Sequence, residues 1–398
     1  MSNTLKFGGG TWATKKGSTL AYNDENNNYK PLPFTTTRNS IATRVNKEGL
    51  IEVVGNDVPR IDYTDSADGV LLLENSATNL IPYSEDFENS DWTKNAGTTI
   101  TNNYAISPDG TLNASRYLGT GTSGLGDKFT LSATDNTISF WVKSNNGVNQ
   151  FCTLLGDSNQ RSEDLLVTTE WTRISYTFTA SGLSDKTNGI FRDLNDNDID
   201  ILIYGAQLEQ GSYATSYIPT NGSTATRLAD TANGSGNSEV FNDSEGVLFA
   251  DISAFVGAGG GTRRIEVSNA VAASQYVRLQ IANGDGSLYG IVNNGTQQFL
   301  FNATSFNATL SNKISLKYKQ NDFSLFLNGF EVGSSNVGNT FANGILTQAN
   351  FSSTLSEFYG KTKELGYYDT ALTDLELETL TSYRSLNELV TELNLNTL

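Results

Sequence analysis

Most of the chain consists of short runs in which apolar and polar residues alternate, with turn residues between them. From Thr137 to Lys143, Ile138, Phe140 and Val142 share one face. From Trp171 to Phe178, Thr172, Ile174, Tyr176 and Phe178 oppose Trp171, Arg173, Ser175 and Thr177. A period of two is the mark of a half-buried strand. Ile41 to Val45, Leu50 to Val54, Val70 to Leu73 and Ile199 to Leu208 read the same way, with Lys47-Glu48-Gly49 and Asp65 to Gly69 as turns. A second series follows at Leu248–Phe255, Tyr276–Ala282, Ser287–Val292, Lys313–Gln320 and Phe323–Leu327. There Asn328-Gly329 predicts a hairpin turn and Phe330-Glu331-Val332 the returning strand. No long helical pattern separates these runs, so the strands pair antiparallel. The predicted fold class is all-β, with two antiparallel β-sandwich (jelly-roll) domains.

The two ends depart from this pattern. Residues 1–35 are rich in Gly, Lys and Asn, with scattered apolar residues, and predict an extended arm that orders on a partner. At the other end, Thr373-Asp374-Leu375-Glu376 is a capping box opening a short helix. A second box, Ser385-Leu386-Asn387-Glu388, opens a helix whose apolar stripe is Leu386, Leu389, Val390 and Leu393. That stripe needs cover, from its own sandwich or from a neighbouring subunit. All 6 prolines lie at or before Pro219, which supports a boundary near residue 222. The predicted organisation is an arm at 1–35, a short β connecting module at 36–78, a first sandwich at 79–221, a linker at 222–238, a second sandwich at 239–384 and a C-terminal helix at 385–398.

Composition narrows the chemistry. The 398 residues contain no His, which removes every mechanism built on a histidine base or ligand. A single cysteine, Cys152, can form neither an internal disulfide nor a cysteine metal cluster. A formal net charge of −17 speaks against nucleic acid as a partner. Hydrophobic residues make up 37%, yet 20 Phe, 17 Tyr and 4 Trp suffice for packed cores. The start, Met1 to Phe7, lacks an apolar signal core, and no run is long enough to insert in a membrane. The chain is therefore expected to fold in a cytosol and to leave it, if it does, by another route.

Motifs with chemical meaning are few. Gly119-Thr120-Gly121-Thr122-Ser123-Gly124 matches the dinucleotide pattern, but Gly126 to Leu131 reads as loop and strand where a helix is required. Asp193 to Asp200 concentrates oxygen ligands as a calcium loop would, without the Gly and distal Glu of an EF-hand, and an Asx-rich turn explains it as well. Paired carboxylates are the catalytic chemistry left open, though no short motif sets two on one strand face. Trp92, Trp141 and Trp171 are possible sugar-stacking platforms, with core packing as the competing role. Asn294-Gly295-Thr296 and similar triplets follow from composition. No catalytic, cofactor-binding or metal-binding residue is assigned, and no cofactor is expected.

Two stretches carry a resemblance. Ala42-Thr43-Arg44 through Gly49, Pro59-Arg60-Ile61-Asp62-Tyr63, Gly69-Val70-Leu71-Leu72-Leu73-Glu74 and Thr78-Asn79-Leu80 resemble a module of bacteriophage virion proteins. It continues, as here, through Tyr83-Ser84-Glu85-Asp86-Phe87 and Asp91-Trp92 into a jelly roll similar to carbohydrate-binding modules. That roll closes much as Gly205-Ala206-Gln207-Leu208-Glu209-Gln210-Gly211 and Ser216-Tyr217-Ile218-Pro219-Thr220 do. Phe323 to Gly329, Glu364 to Tyr368 and Ala371 to Leu377 resemble the close of concanavalin-like (laminin-G-like) lectin sandwiches.

The resemblance implies a structural, non-enzymatic protein of a phage virion: a head fibre, spike or tail-fibre subunit that binds host surface glycans. Its arm would attach to capsid or tail proteins, and the particle would be assembled in the host cytoplasm and released by lysis. A homo-oligomer is expected, a trimer in preference to a dimer. The alternatives are a virion-associated polysaccharide-degrading enzyme using a carboxylate pair, and a capsid decoration protein that binds no glycan.

Overall fold

The computed structural model describes residues 4–392, apart from 158–159, 182–185, 196, 258–260, 271–273, 285, 305 and 354–355. The fold class is the expected one, all-β with antiparallel sheets and short helices at the C-terminal end. The chain forms two compact units, and both are discontinuous. Unit 1 comprises Met1–Asn39, Gly55–Asn75 and Ala229–Leu398, and unit 2 comprises Ser40–Val54 and Ser76–Leu228.

In unit 2, one sheet runs in the order Thr98–Ile106, Leu112–Gly119, Ile199–Gln210, Asp135–Ser144, Thr172–Thr179. The other runs Thr93–Lys94, Gly124–Phe129, Lys186–Arg192, Gln150–Gly156, Gln160–Arg161, with Leu165–Val167 also on Gln150–Gly156. The alternation in the sequence does the work expected of it. Ile138, Phe140 and Val142 are buried against Tyr117, Leu125, Leu154, Ile190 and Ile203 from both sheets, and against Phe87 from the segment between strands.

Unit 1 is a larger sandwich. In one sheet Glu245–Ala254 lies between Asn312–Lys319 and Gly360–Tyr368. In the other Arg263–Ser268, Gln275–Ile281, Leu288–Asn294 and Gln297–Ala303 pair in succession. Leu248, Ala250, Val277, Leu279, Leu316 and Leu325 meet in the core between them. The helix Asp374–Thr381 carries the predicted capping box and sets Leu377 on Val247, Phe249, Phe326 and Tyr368.

Three expectations are corrected by the pairing. The arm at 1–35 is no arm, because Leu5–Gly8 pairs with Gly360–Tyr368 and buries Leu5 and Phe7 in the core of unit 1. Two apolar residues one apart are enough when a sheet supplies the other face, and composition does not register that. The linker at 222–238 is strand on both sides of the boundary. Ala225–Arg227 pairs with Ala77–Asn79, and Thr231–Ser235 pairs with Phe34–Thr37 and Gln348–Asn350. Gly, Ser and Asn leave the backbone as free to pair as larger residues do. The connecting module at 36–78 is divided, its hairpin Ala42–Val45 with Ile51–Val54 going to unit 2 and Val70–Leu73 to unit 1. The C-terminal helix forms at Leu386–Glu392, with Leu386 exposed and Leu389 and Val390 half-buried, while Leu393 lies outside the described residues.

Unit 1 is held at its chain breaks by a buried ion network. Arg38 Nη1 donates to Asp230 Oδ1 at 2.9 Å and Nη2 to the Gly55 carbonyl at 2.7 Å. Arg60 Nη1 donates to Glu74 Oε2 at 2.6 Å, and Nη2 to Asp230 Oδ2. All four side chains are essentially without solvent contact, at 0% for both arginines, 2% for Asp230 and 3% for Glu74. Burial works against the Arg60 charge, but Asp230 and Glu74 more than offset it and raise its pKa.

Two outcomes follow. Asp230→Ala leaves two guanidiniums buried without their shared carboxylate and should cost about 3–5 kcal/mol in denaturant unfolding of unit 1. A chain begun at Gly9, lacking the Leu5–Gly8 strand, should likewise unfold unit 1 at markedly lower denaturant, with the unit 2 transition unmoved.

Candidate functional site

The residues that carry the resemblance in unit 2 act first as hydrogen-bond hubs. Asn79 is buried and uses its full capacity. Nδ2 donates to the Ala206 and Ile218 carbonyls at 3.0 and 2.9 Å, and Oδ1 accepts from Ile81 N and Leu208 N, both at 3.1 Å. Gln207 and Glu209 alternate with the core residues Ala206 and Leu208. Gln207 Oε1 accepts from Ile218 N at 2.7 Å, and Glu209 accepts from Thr215 N and Oγ1 at 2.9 and 2.7 Å. Gly205, at φ +63, makes the bulge that permits this alternation, where Ser139 pairs with Gln207 but Trp141 with Tyr204. Ser84 and Thr220 clasp each other, Ser84 N to Thr220 Oγ1 at 3.1 Å and Thr220 N to Ser84 Oγ at 2.9 Å.

That clasp brings the opening and closing signatures together, and a cleft of about 550 Å³ lies beside it. It is lined by Tyr83, Glu85 and Asp86, by Asn102, Asn103 and Asn113, and by Pro219, Thr220 and Asn221. Two irregularities of the edge hairpin supply the asparagines. Between the Thr101–Arg116 and Ala105–Ala114 pairs, Asn102, Asn103 and Tyr104 stand opposite Ser115 alone, with Asn103 at φ +52. Between Ala105–Ala114 and Ile106–Leu112 the shift reverses, and Asn113 is the extra residue. Bulges re-aim side chains that a regular ladder would point elsewhere, and Asn accepts the left-handed region more readily than most residues.

The floor is fixed by side-chain bonds. Asn102 Nδ2 donates to Asp86 Oδ1 at 2.6 Å and its Oδ1 accepts from Ser115 Oγ at 2.7 Å. Glu85 Oε1 accepts from Tyr217 and Tyr204 hydroxyls at 2.9 and 3.2 Å, and Oε2 accepts from Asn113 Nδ2 at 3.3 Å. Asn113 Nδ2 also reaches Asp109 Oδ2 at 3.1 Å, which fixes the amide's orientation and leaves Oδ1 buried without a hydrogen bond among the described residues. Burial raises the Glu85 pKa, partly opposed by the two tyrosines. Burial also pushes Asp109 upward, but hydrogen bonds from Ser107, Thr111 and Asn113 outweigh it and hold the carboxyl below its usual range.

The residues singled out from sequence fare differently. Trp92 is core, its Nε1 bonded to the Tyr83 carbonyl at 2.9 Å and its ring against Phe87 and Phe140. Trp141 and Trp171 are half-buried against a small cluster of Ile51, Tyr204 and Tyr217. None of the three lines the cleft. The Gly119–Gly124 stretch joins strand to strand. Asp193 is bonded by Asn197 N and Nδ2, and Asp200 is held bidentate by Arg116 at 2.8 Å, while Asp196 lies outside the described residues. Among the described residues no group of His, Cys, Asp or Glu is arranged to hold a metal ion. Cys152 is buried and its thiol pKa is raised. Glu85 and the three asparagines escaped the sequence reading, because only the paired signatures at 83–87 and 216–220 hinted at the place.

Fold and cleft together define an all-β protein of two antiparallel sandwich units, one bearing a polar cleft at a bulged sheet edge. No protein-family model and no curated protein matches the sequence. Among solved structures, the CBM40 module of a Ruminococcus gnavus IT-sialidase, bound to α2,3-sialyllactose, is 18% identical with a TM-score of 0.32, over 38% of this chain and 94% of that one. Domain 4 of AbnA, a GH43 arabinanase from Geobacillus stearothermophilus in complex with arabinotriose, is 15% identical with a TM-score of 0.32, over 43% and 82%. A Trypanosoma rangeli sialidase in complex with sialic acid is 9% identical with a TM-score of 0.28, over 91% and 81%.

Glu85 gives the cleft a pH signature. With its folded pKa raised, the folded state holds a proton that the unfolded state has released, so Glu85 lowers stability as pH climbs from the ordinary glutamate range through the raised value. Urea titrations across that window should show Glu85→Gln gaining on the parent protein as pH rises. A stability difference independent of pH would place the Glu85 carboxyl at its ordinary value.

Proposed function

We propose that this protein is a non-enzymatic, glycan-binding structural component of a bacteriophage virion, and that the cleft of unit 2 is its sugar site. The observation that carries the binding reading is the set of planar polar groups, Glu85, Asp86, Asn102 and Asn113, held in place by partners behind them. Sugars present neighbouring hydroxyls on a rigid ring, and amides and carboxylates fixed in advance meet them without losing rotamer freedom on binding. Tyr83 and Pro219 add apolar surface for a ring face. The virion assignment rests on the signatures from Ala42 to Thr220, and an appendage repeated in a homotrimer would turn a weak site into firm attachment.

Asp109 supports the cleft from outside its lining. Its Oδ1 accepts from Ser107 Oγ, Thr111 N and Thr111 Oγ1 at 2.6, 2.7 and 2.8 Å, and its Oδ2 accepts from Asn113 Nδ2 at 3.1 Å and shares the one Tyr204 hydroxyl proton with Glu85 Oε1. A carboxylate so engaged holds Asn113 in place and stands outside the lining, where it cannot act as one of a catalytic pair.

The test is a glycan array at multivalent density with the parent protein and Asn102→Ala. The parent should bind, and the variant should bind roughly 10- to 100-fold more weakly, the cost of about 1–3 kcal/mol for a lost hydrogen-bonding partner. Release of reducing ends from a bound polysaccharide would overturn the non-enzymatic reading. Equal binding by the variant would move the site elsewhere.

A further inference from the structure

The cleft is built to receive donors. Its carboxylates, Glu85 and Asp86, offer acceptor oxygens, and the side chains of Asn102, Asn103 and Asn113 add amide groups to the lining.

Cations that could reverse this polarity are committed elsewhere. Among the described residues no Lys or Arg lines the cleft. Lys94, on the strand Thr93–Lys94, points Nζ at the carbonyls of Glu88, Asn89 and Trp92 at 3.2, 2.9 and 3.0 Å, which uses its three donors, so its charge reaches Asp86 and Glu88 only through space. Arg116, on the strand that carries Asn113, is closed in a two-point pair with Asp200, and Tyr104 lies 5.4 Å from its guanidinium. A carboxylate brought into the cleft would therefore meet like charge and acceptor oxygens, with no guanidinium or ammonium to receive it.

From this geometry we infer that the cleft selects sugars by charge: those bearing a free, protonated amine bind best, neutral sugars next, and acidic sugars such as uronates are rejected. The inference deepens the reading of the cleft as a sugar site and rests on it. Asp86 is the principal charge in this discrimination, because it lines the cleft and, among the described residues, its recorded bonds come from the amides of Asn102 and Asn89, with Lys94 acting on it only through space. Selection by charge in a solvent-open cleft weakens as salt shortens the range of the field.

The experiment uses the full chain and matched triplets of polymer-linked sugars, amine, hydroxyl and carboxylate, in gluco, galacto and manno configuration. Binding is read by biolayer interferometry below the pKa of the amine, at low and high salt. The amine member of at least one triplet should bind tenfold or more tightly than its carboxylate counterpart, with the ratio falling at high salt. Asp86→Asn should cut that ratio by about tenfold while circular dichroism and the unfolding midpoint stay close to the parent's. Carboxylate sugars binding as well as amines would overturn the charge inference and leave the cleft a sugar site. An amine preference undiminished in Asp86→Asn would overturn it too, since the charge would then come from another surface. Failure of every triplet, with Asn102→Ala no different from the parent on natural glycans, would overturn this inference and the sugar-site reading together.

Discussion

Two guanidinium groups without access to water, those of Arg38 and Arg60, share the carboxylate of Asp230, and Arg60 is closed on its other side by Glu74. Charges so placed are tolerable only when every partner is present, because each has given up several kcal/mol of hydration. The network joins residues from three separate stretches of the chain. Each lies next to a point where the chain passes between units: Arg38 before Ser40, the Gly55 carbonyl after Val54, Glu74 before Ser76 and Asp230 after Leu228. A discontinuous unit must fix its broken ends, and here one carboxylate does most of that. The pairing of Leu5–Gly8 with Gly360–Tyr368 closes the same unit at its termini.

Unit 2 solves a similar problem with neutral groups. Asn79, Ser84, Gln207 and Thr220 each bond across more than ten residues of sequence, and together they hold the return segment 212–222 against the sheet. These residues belong to the paired signatures that open and close the first sandwich, so the signature is one of architecture. The cleft is a consequence of that architecture. Once the two signatures are clasped, the bulged hairpin beside them has space to present Asn102, Asn103 and Asn113.

The period of two in stretches such as Thr137 to Lys143 determined the strands and their buried faces, since apolar side chains at alternate positions can be covered only in a sheet. The capping box at Thr373 determined its helix for an equally local reason: both halves of the contact lie within four residues. What the sequence could not carry was partnership at a distance. Leu5 and Phe7 look like stray apolar residues until Gly360–Tyr368 lies beside them, and the Ser/Gly/Asn stretch after Asn221 looks like a tether until its backbone is paired. The cleft is the extreme case. Its asparagines are ordinary members of an Asn-rich chain, and only the register shifts between two paired strands, together with the tertiary clasp of residues 81–86 to 217–222, decide that three of them line one space with two carboxylates.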